Sequence, residues 1–410
     1  MEFKDNAFEI LQDRGFIKDV THEQAIKDIL KKGPITFYLG IDPTADDLHI
    51  GHFFALQMFR ILQDCGHHGI LLIGGATAMV GDPSFKNDLR KMLTQDNIDR
   101  NAEEVKKLVQ KFIKVDGENP AILVNNADWI RDEGYIQFLR KVGVHFNVSQ
   151  MLSCDAYKKR LGNGLTFLEM GYMLMQAYDF VHLNDSFDCV LEIGGSDQWA
   201  NIVAGVDLSR KMSNERGKER PVMAGICCPL LVNANGIKMG KTEKGTLWVS
   251  RGKTRVFDFF QHFVNCMDED VERLLRFFTE LPVKDIQKMC KENIVKAKKI
   301  MAFEVTKLVH GEEEAKQALE TSEKLFSEGH SNSDNVPTEK IEASKEINVL
   351  DFLAQLSIIS SKSAARRLIE QNGISIDDEK ISDPNLIINI KKKEFMVKKG
   401  KKTFVKVIIK

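Results

Sequence analysis

Short apolar runs ending in turns, with helical stretches between them, constrain the fold of this chain more than any other feature. Residues 35–41 (Ile-Thr-Phe-Tyr-Leu-Gly-Ile) are rich in strand formers and follow a break at Gly33-Pro34. Residues 69–75, 121–124 and 189–193 repeat the pattern. Helical spacing marks 51–63, 101–114 and 165–183 between them, and 5–32 before them. Runs that are apolar throughout belong to strands buried on both faces. Strands alternating with helices predict βαβ units and an α/β domain with a parallel sheet. Ligands of such sheets sit outside the carboxyl ends of the strands, where the strand order reverses.

That domain does not account for all 410 residues. At roughly 150 residues per domain, two or three are expected. A first domain is read over 1–250. Residues 251–328 are helical and charged, 329–346 are polar and aperiodic like a linker, and 347–410 form a compact basic unit. Net charge is −1 overall, which excludes a uniformly basic nucleic-acid binder, but the average hides a split. Residues 346–410 carry 13 Lys+Arg against 8 Asp+Glu, a net of +5, which leaves −6 on the rest. Such asymmetry suggests a basic module appended to a neutral body. The seven cysteines are scattered, odd in number and without a C-x-x-C pair. They read as reduced thiols of a cytoplasmic protein, with no protein-bound zinc and no disulfide framework. The N-terminus is polar and unlike a signal peptide. No apolar run approaches the roughly 20 residues that span a bilayer, so no membrane partner is expected.

Five segments carry chemistry. The first run leads into Asp42-Pro43-Thr44-Ala45-Asp46-Asp47-Leu48-His49-Ile50-Gly51-His52. His49 and His52, three apart at a helix start, share one face, and Gly51 lets a ligand approach the backbone. A helix N-terminus with two imidazoles suits a polyphosphate. The spacing is not the His-Glu-x-x-His of zinc proteases. Farther on, Lys238 and Lys241 stand three apart in a glycine-rich stretch and could clamp charge developing on pyrophosphate.

Tyr172, Gln176 and Asp179 fall at i, i+4 and i+7, on one face of an otherwise apolar helix. Buried polar groups need partners, and a polar ligand would serve as one. Residues 192–199 (Glu-Ile-Gly-Gly-Ser-Asp-Gln-Trp) join a strand end to a turn bearing a carboxylate and an amide, which suits ribose hydroxyls. Residues 74–77 and 81–84 bring a strand-end carboxylate, Asp82, that could receive an ammonium.

These motifs resemble those of the bacterial-type tyrosyl-tRNA synthetases, class I aminoacyl-tRNA synthetases. His49-Ile50-Gly51-His52 matches the HIGH signature, and Lys238-Met239-Gly240-Lys241-Thr242 is similar to KMSKS. Residues 194–199, 176–179 and 307–313 resemble further blocks of the family, in the family's order across nearly the whole chain. The resemblance implies a Rossmann-like catalytic domain, a helical domain for the tRNA anticodon region, and a small α+β RNA-binding domain. The last of these is similar to a domain of a ribosomal small-subunit protein. The implied reaction is the activation of tyrosine by ATP, with transfer to tRNA(Tyr). Mg²⁺ would accompany the nucleotide, and the protein would be a homodimer with its interface within roughly 90–165.

Roles follow by resemblance. Tyr38 and Asp179 would hold the substrate phenol, and Asp82, Tyr172 and Gln176 its ammonium. Asp42, Gln198 and Asn126 would line the same pocket. ATP would lie over Gly40 and Gly51, with Gly195 and Asp197 near the ribose. Thr44, His49 and His52 would hold its phosphates, with Lys238 and Lys241 closing over them and Lys86 and Arg90 in a second basic loop.

Three departures stand out. Gly240 replaces the serine of KMSKS, Glu192 stands where many members have Gln, and Leu39 and Ala55 replace small or hydroxyl residues near ATP. In the C-terminal unit, 364–369 is helical, Asn372-Gly373 turns into a strand at 374–376, and residues 391–410 interleave nine lysines with apolar residues. Such a surface suits phosphates. Two other readings use the same motifs: a tryptophanyl-tRNA synthetase, and a non-catalytic RNA-binding protein on a synthetase scaffold. The Tyr38–Asp179 pair and the basic module oppose the first, and the intact signatures oppose the second.

Overall fold

The computed structural model describes residues 6–84, 93–162, 164–216, 221–242, 245–327, 338–342, 346–390, 392–400 and 403–409. The chain divides into two compact units, one of residues 1–254 with 267–294, the other of 255–266 with 295–410.

The first unit is built on a six-stranded sheet: β1 (Asp19–Val20), β2 (Thr36–Ile41), β3 (His68–Ile73), β4 (Ile122–Asn125), β5 (Cys189–Gly195) and β6 (Ala224–Cys228). Their order is β1-β6-β5-β2-β3-β4. All pairings are parallel except β1 with β6. The four apolar runs are four of these strands. β6 is not among the strands expected from the sequence: Ala224 and Gly225 are poor strand formers, and pairing with β5 on one side and β1 on the other holds it extended. From β2 the chain builds outward through β3 and β4, then returns to β5 on the other side, so the strand order reverses between β2 and β5.

Strand alternation sends neighbouring side chains to opposite faces. Phe37 packs edge-on against Phe59 of the Ile50–Asp64 helix, with ring centroids 4.8 Å apart. Tyr38, next along β2, packs against Phe180 of the Phe167–Phe187 helix at 5.3 Å. One helix therefore covers each face. The second of them starts with a capping box, in which the Thr166 hydroxyl accepts from the Glu169 N–H and Glu169 accepts from the Thr166 N–H.

The second unit holds the helices Val256–Val264, Ile294–His310 and Glu312–Ser327, apart from Ile294 itself. It also holds a five-stranded sheet that runs Glu379–Lys380, Ile374–Ile376, Glu394–Lys399, Thr403–Ile409, Thr338–Ile341. Phe352, Ile369, Ile374, Val397 and Val405 are its buried centre. The strand Thr338–Ile341 lies inside the stretch read as a linker. It runs parallel to Thr403–Ile409 and buries Ile341 while Thr338 and Lys340 stay exposed. A four-residue strand with one inward apolar residue leaves little periodicity to read.

Candidate active site

One cleft of about 540 Å³ opens at the carboxyl ends of β2 and β5, where the strand order reverses. Tyr38, Gly40, Asp42, Thr44, His49, Gly51, His52, Asp82, Tyr172, Gln176, Asp179, Gly195, Asp197, Gln198 and Lys238 all line it. Asn126 is fully buried and absent from the lining; it stands behind Asp179. Lys86 and Arg90 lie outside the described residues, as does the side chain of Lys241.

At its outer end the cleft meets the start of the Ile50–Asp64 helix. His49 is the N-cap, its Nδ1 accepting from the His52 N–H at 3.2 Å. The two imidazoles stack with centroids 3.7 Å apart and planes 13° from parallel. A Cβ at Gly51 would lie 3.0 Å from the His49 ring, so only glycine lets the stack form unstrained. The backbone of the Lys238 segment is tied to the same helix start: the Leu247 N–H donates to the Gly240 carbonyl, and the Ile50 N–H to the Leu247 carbonyl. The arrangement gathers Lys238, two imidazoles and a helix start where an anion would sit.

The inner end is a network of acidic side chains. Asp179 accepts from Asn126 Nδ2 at 2.9 Å and from Trp129 Nε1 at 2.8 Å. Burial pushes its carboxyl up to about 8, against the pull of those two donors. Asp42 accepts from the Thr77 hydroxyl at 2.7 Å and the Tyr172 hydroxyl at 2.9 Å. A Cβ on Gly74 would fall 2.0 Å from Asp42 Oδ1, so that turn admits no side chain. Asp82 accepts from the Ser84 N–H at 2.9 Å and Gln198 Nε2 at 2.7 Å. Glu192 is 2% exposed and accepts from Gln176 Nε2 at 2.9 Å, and burial pushes it up to about 7. Burial and the nearby Glu192 and Asp179 carboxyls push the Tyr38 hydroxyl well above its ordinary value.

Among the buried polar atoms lining the cleft, Gln176 Oε1 makes no hydrogen bond, and Tyr38 Oη and Glu192 Oε2 find no partner beyond each other. Buried polar atoms normally find partners, so these mark where a polar ligand would complete the network. The inner end suits a small molecule carrying a hydroxyl and a cation, and the outer end suits a polyphosphate.

The comparisons with known proteins give the family. The sequence model described as "tRNA synthetases class I (W and Y)" matches residues 30–327. A second, "Tyrosine--tRNA ligase SYY-like C-terminal domain", matches 328–407. A tyrosine–tRNA ligase of Clostridium kluyveri is 46% identical over 412 residues, covering 99% of this chain and all of that one. The chain belongs to the tyrosine–tRNA ligase family.

It is thus an aminoacyl-tRNA ligase of class I. The Clostridium botulinum tyrosine–tRNA ligase is also 46% identical, over 98% of this chain and 99% of its own. Among solved structures, a C-terminally truncated mitochondrial tyrosyl-tRNA synthetase of Aspergillus nidulans matches with a TM-score of 0.69 at 28% identity, covering 78% of this chain and 94% of that one. A tryptophanyl-tRNA synthetase from Encephalitozoon cuniculi reaches a TM-score of 0.54 at 12% identity, over 78% and 91% of the two chains, which is a likeness of fold alone. The tryptophanyl alternative is not favoured. Like other tyrosine–tRNA ligases of class I, the chain uses ATP as a substrate.

Sequence spacing leaves Thr77, Trp129 and Glu192 without a role, although all three join the network. Trp129 lies four residues past the end of β4, and the strand-end rule that marked the other turns would have flagged it.

Proposed function

We propose that the cleft activates tyrosine at its inner end and holds ATP at its outer end. The supporting observation is the pairing of a buried Tyr38 hydroxyl, with no partner beyond Glu192, and a buried Asp179 carboxyl, both lining one cleft. The substrate phenol is held between them. Its ammonium meets Asp82, Tyr172 and Gln176, with Asp42 and Gln198 completing the wall. Asn126 acts on the pocket through Asp179.

ATP lies over Gly40 and Gly51, with its ribose near Gly195 and Asp197. Thr44, His49 and His52 take its phosphates. Lys238 and Lys241 neutralise the pyrophosphate, and Lys86 and Arg90 are assigned to the same task by resemblance. The tyrosine carboxylate attacks the α-phosphorus. The bond to the β-phosphate breaks, and pyrophosphate leaves with the electron pair. Positioning and charge stabilisation suffice, without a covalent nucleophile on the protein. Mg²⁺ would accompany the nucleotide and offset charge on the leaving pyrophosphate. A terminal tRNA hydroxyl then attacks the adenylate carbonyl and releases AMP.

The chain works in the cytoplasm as a homodimer. Supporting the dimer, Tyr135, Ile136, Val144, Val148 and Phe167 expose apolar surface within and just beyond the stretch 90–165. Residues 251–328 are assigned to the anticodon region of the tRNA, and 347–410, with the strand Thr338–Ile341, to RNA binding. Active-site titration tests the reading. Enzyme mixed with ATP, pyrophosphatase and labelled tyrosine retains label on a filter as tyrosyl-adenylate; absence of retained label contradicts it.

A further inference from the structure

Glu192 and Tyr38 are direct partners in the β2–β5 pairing, so their side chains leave the sheet on the same face, side by side. Gln176 donates to Glu192 Oε1, and that contact fixes the amide with its Nε2 toward Glu192. Glu192 Oε2 and Tyr38 Oη remain, both buried and with no partner beyond each other.

The groups around Glu192 are Tyr38 on β2, Gln176 and Asp179 on the Phe167–Phe187 helix, Cys189 on its own strand and Cys227 on β6. The Trp199–Arg216 helix presents Gly205, where a Cβ would lie 3.5 Å from Glu192 Oε2. None of these groups carries a positive charge.

A phenol has one proton to donate. If Glu192 is a carboxylate it accepts from Tyr38, and Tyr38 then faces the substrate as an acceptor only. Asp179 is an acceptor too, so one of the two contacts would set lone pair against lone pair. One neutral carboxyl of the two removes the conflict, and the donors around each decide which it is.

On the tyrosine reading of the cleft, we propose that Glu192 is a positioning residue that works in its protonated form, as the first donor of a relay. Its carboxyl O–H donates to Tyr38 Oη, Tyr38 donates to the phenol oxygen, and the phenol donates to the Asp179 carboxylate. The relay sets the direction of every hydrogen bond on the group that separates tyrosine from phenylalanine. Donor counts favour the same distribution. Asp179 already accepts two hydrogen bonds and gains a third from the phenol, whereas Glu192 accepts one.

The test is the pH dependence of the tyrosine KM in ATP–pyrophosphate exchange, from pH 6.5 to 9, for the wild type, Glu192→Gln, Tyr38→Phe and the double variant. A glutamine keeps the donor at every pH. The ratio of wild-type KM to Glu192→Gln KM should rise above about pH 7, toward about tenfold per pH unit, while the kcat ratio stays level. The substrate's own titration cancels in that ratio. In the Tyr38→Phe background, Glu192→Gln should leave the pH profile unaltered, because the middle of the relay is gone. A wild-type to Glu192→Gln ratio that is flat with pH overturns the relay. If Glu192→Gln fails to fold, the ratio of wild-type KM to Tyr38→Phe KM decides: a ratio flat with pH overturns the relay. Absence of tyrosine-dependent exchange in the wild type overturns instead the reading on which the relay rests.

Discussion

Asn126 holds Asp179 from behind: its Nδ2 donates to the carboxylate at 2.9 Å while its Oδ1 accepts from the Ala76 N–H at 2.7 Å. One fully buried amide thus ties the end of β4, the turn after β3 and the Phe167–Phe187 helix together. It contacts the cleft through Asp179.

Asn126→Ala removes a donor to a buried carboxylate. Hydrogen bonds to charged groups contribute about 1.5–3 kcal/mol, so the tyrosine KM should rise about 10- to 150-fold. The KM for ATP should change far less. Separate KM measurements for the two substrates check this, and equal increases in both would indicate collapse of the cleft instead.

Asp179→Ala removes the acceptor for the phenol proton. Discrimination between tyrosine and phenylalanine, measured as the ratio of kcat/KM, should fall by a factor of about 10 to 150 on the same reasoning. An unchanged ratio would take Asp179 out of the pocket's selectivity.

His49 caps a helix and faces the phosphate end of the cleft, and two variants separate these tasks. Asn is a good N-cap and Ala is not, a difference of about 0.5–2 kcal/mol. His49→Asn should therefore retain the wild-type Tm while losing about 10²-fold in kcat, since a donor aimed at developing charge is gone. His49→Ala should lose both. Parallel thermal melts and exchange assays check the split.

Glu192 and Asp179 also shape stability. Both folded values, about 7 and about 8, lie above the ordinary 4.5 and 3.8. Between roughly pH 4 and 8 the unfolded chain therefore binds fewer protons than the folded one, and stability falls as pH rises. The Tm should be lower at pH 8.5 than at pH 6, and Glu192→Gln should narrow that gap. Differential scanning calorimetry at the two pH values decides it.

The exposed Arg366 and Arg367 of the Lys362–Glu370 helix are placed for phosphates. Reversing both to Glu should raise the KM for tRNA and flatten its salt dependence, while tyrosine-dependent exchange continues at the wild-type rate. Loss of both activities together would argue against a separate RNA-binding role.

The sheet was readable because its parallel strands are buried on both faces and leave unbroken apolar runs, as in residues 35–41. β6 was not, because Ala224 and Gly225 have little strand propensity and its shape depends on pairing with β5 and β1. Most cleft residues were readable because they stand at strand ends or at helical spacing. Glu192 could be noticed only as an odd residue. Its relation to Tyr38 lies in the strand register, which joins positions 154 apart and leaves no local trace. Thr77 is hidden for the same reason, since it acts on a carboxylate supplied by another element, whereas Trp129 stands close enough to the end of β4 to be flagged.

Amino-acid-dependent ATP–pyrophosphate exchange, run across all twenty amino acids without tRNA, tests the assignment of the cleft most directly. Exchange with tyrosine alone is the expected result, because only a phenol completes the Tyr38–Asp179 pair. Exchange with tryptophan in place of tyrosine, or with no amino acid in a folded protein that binds ATP, would contradict it.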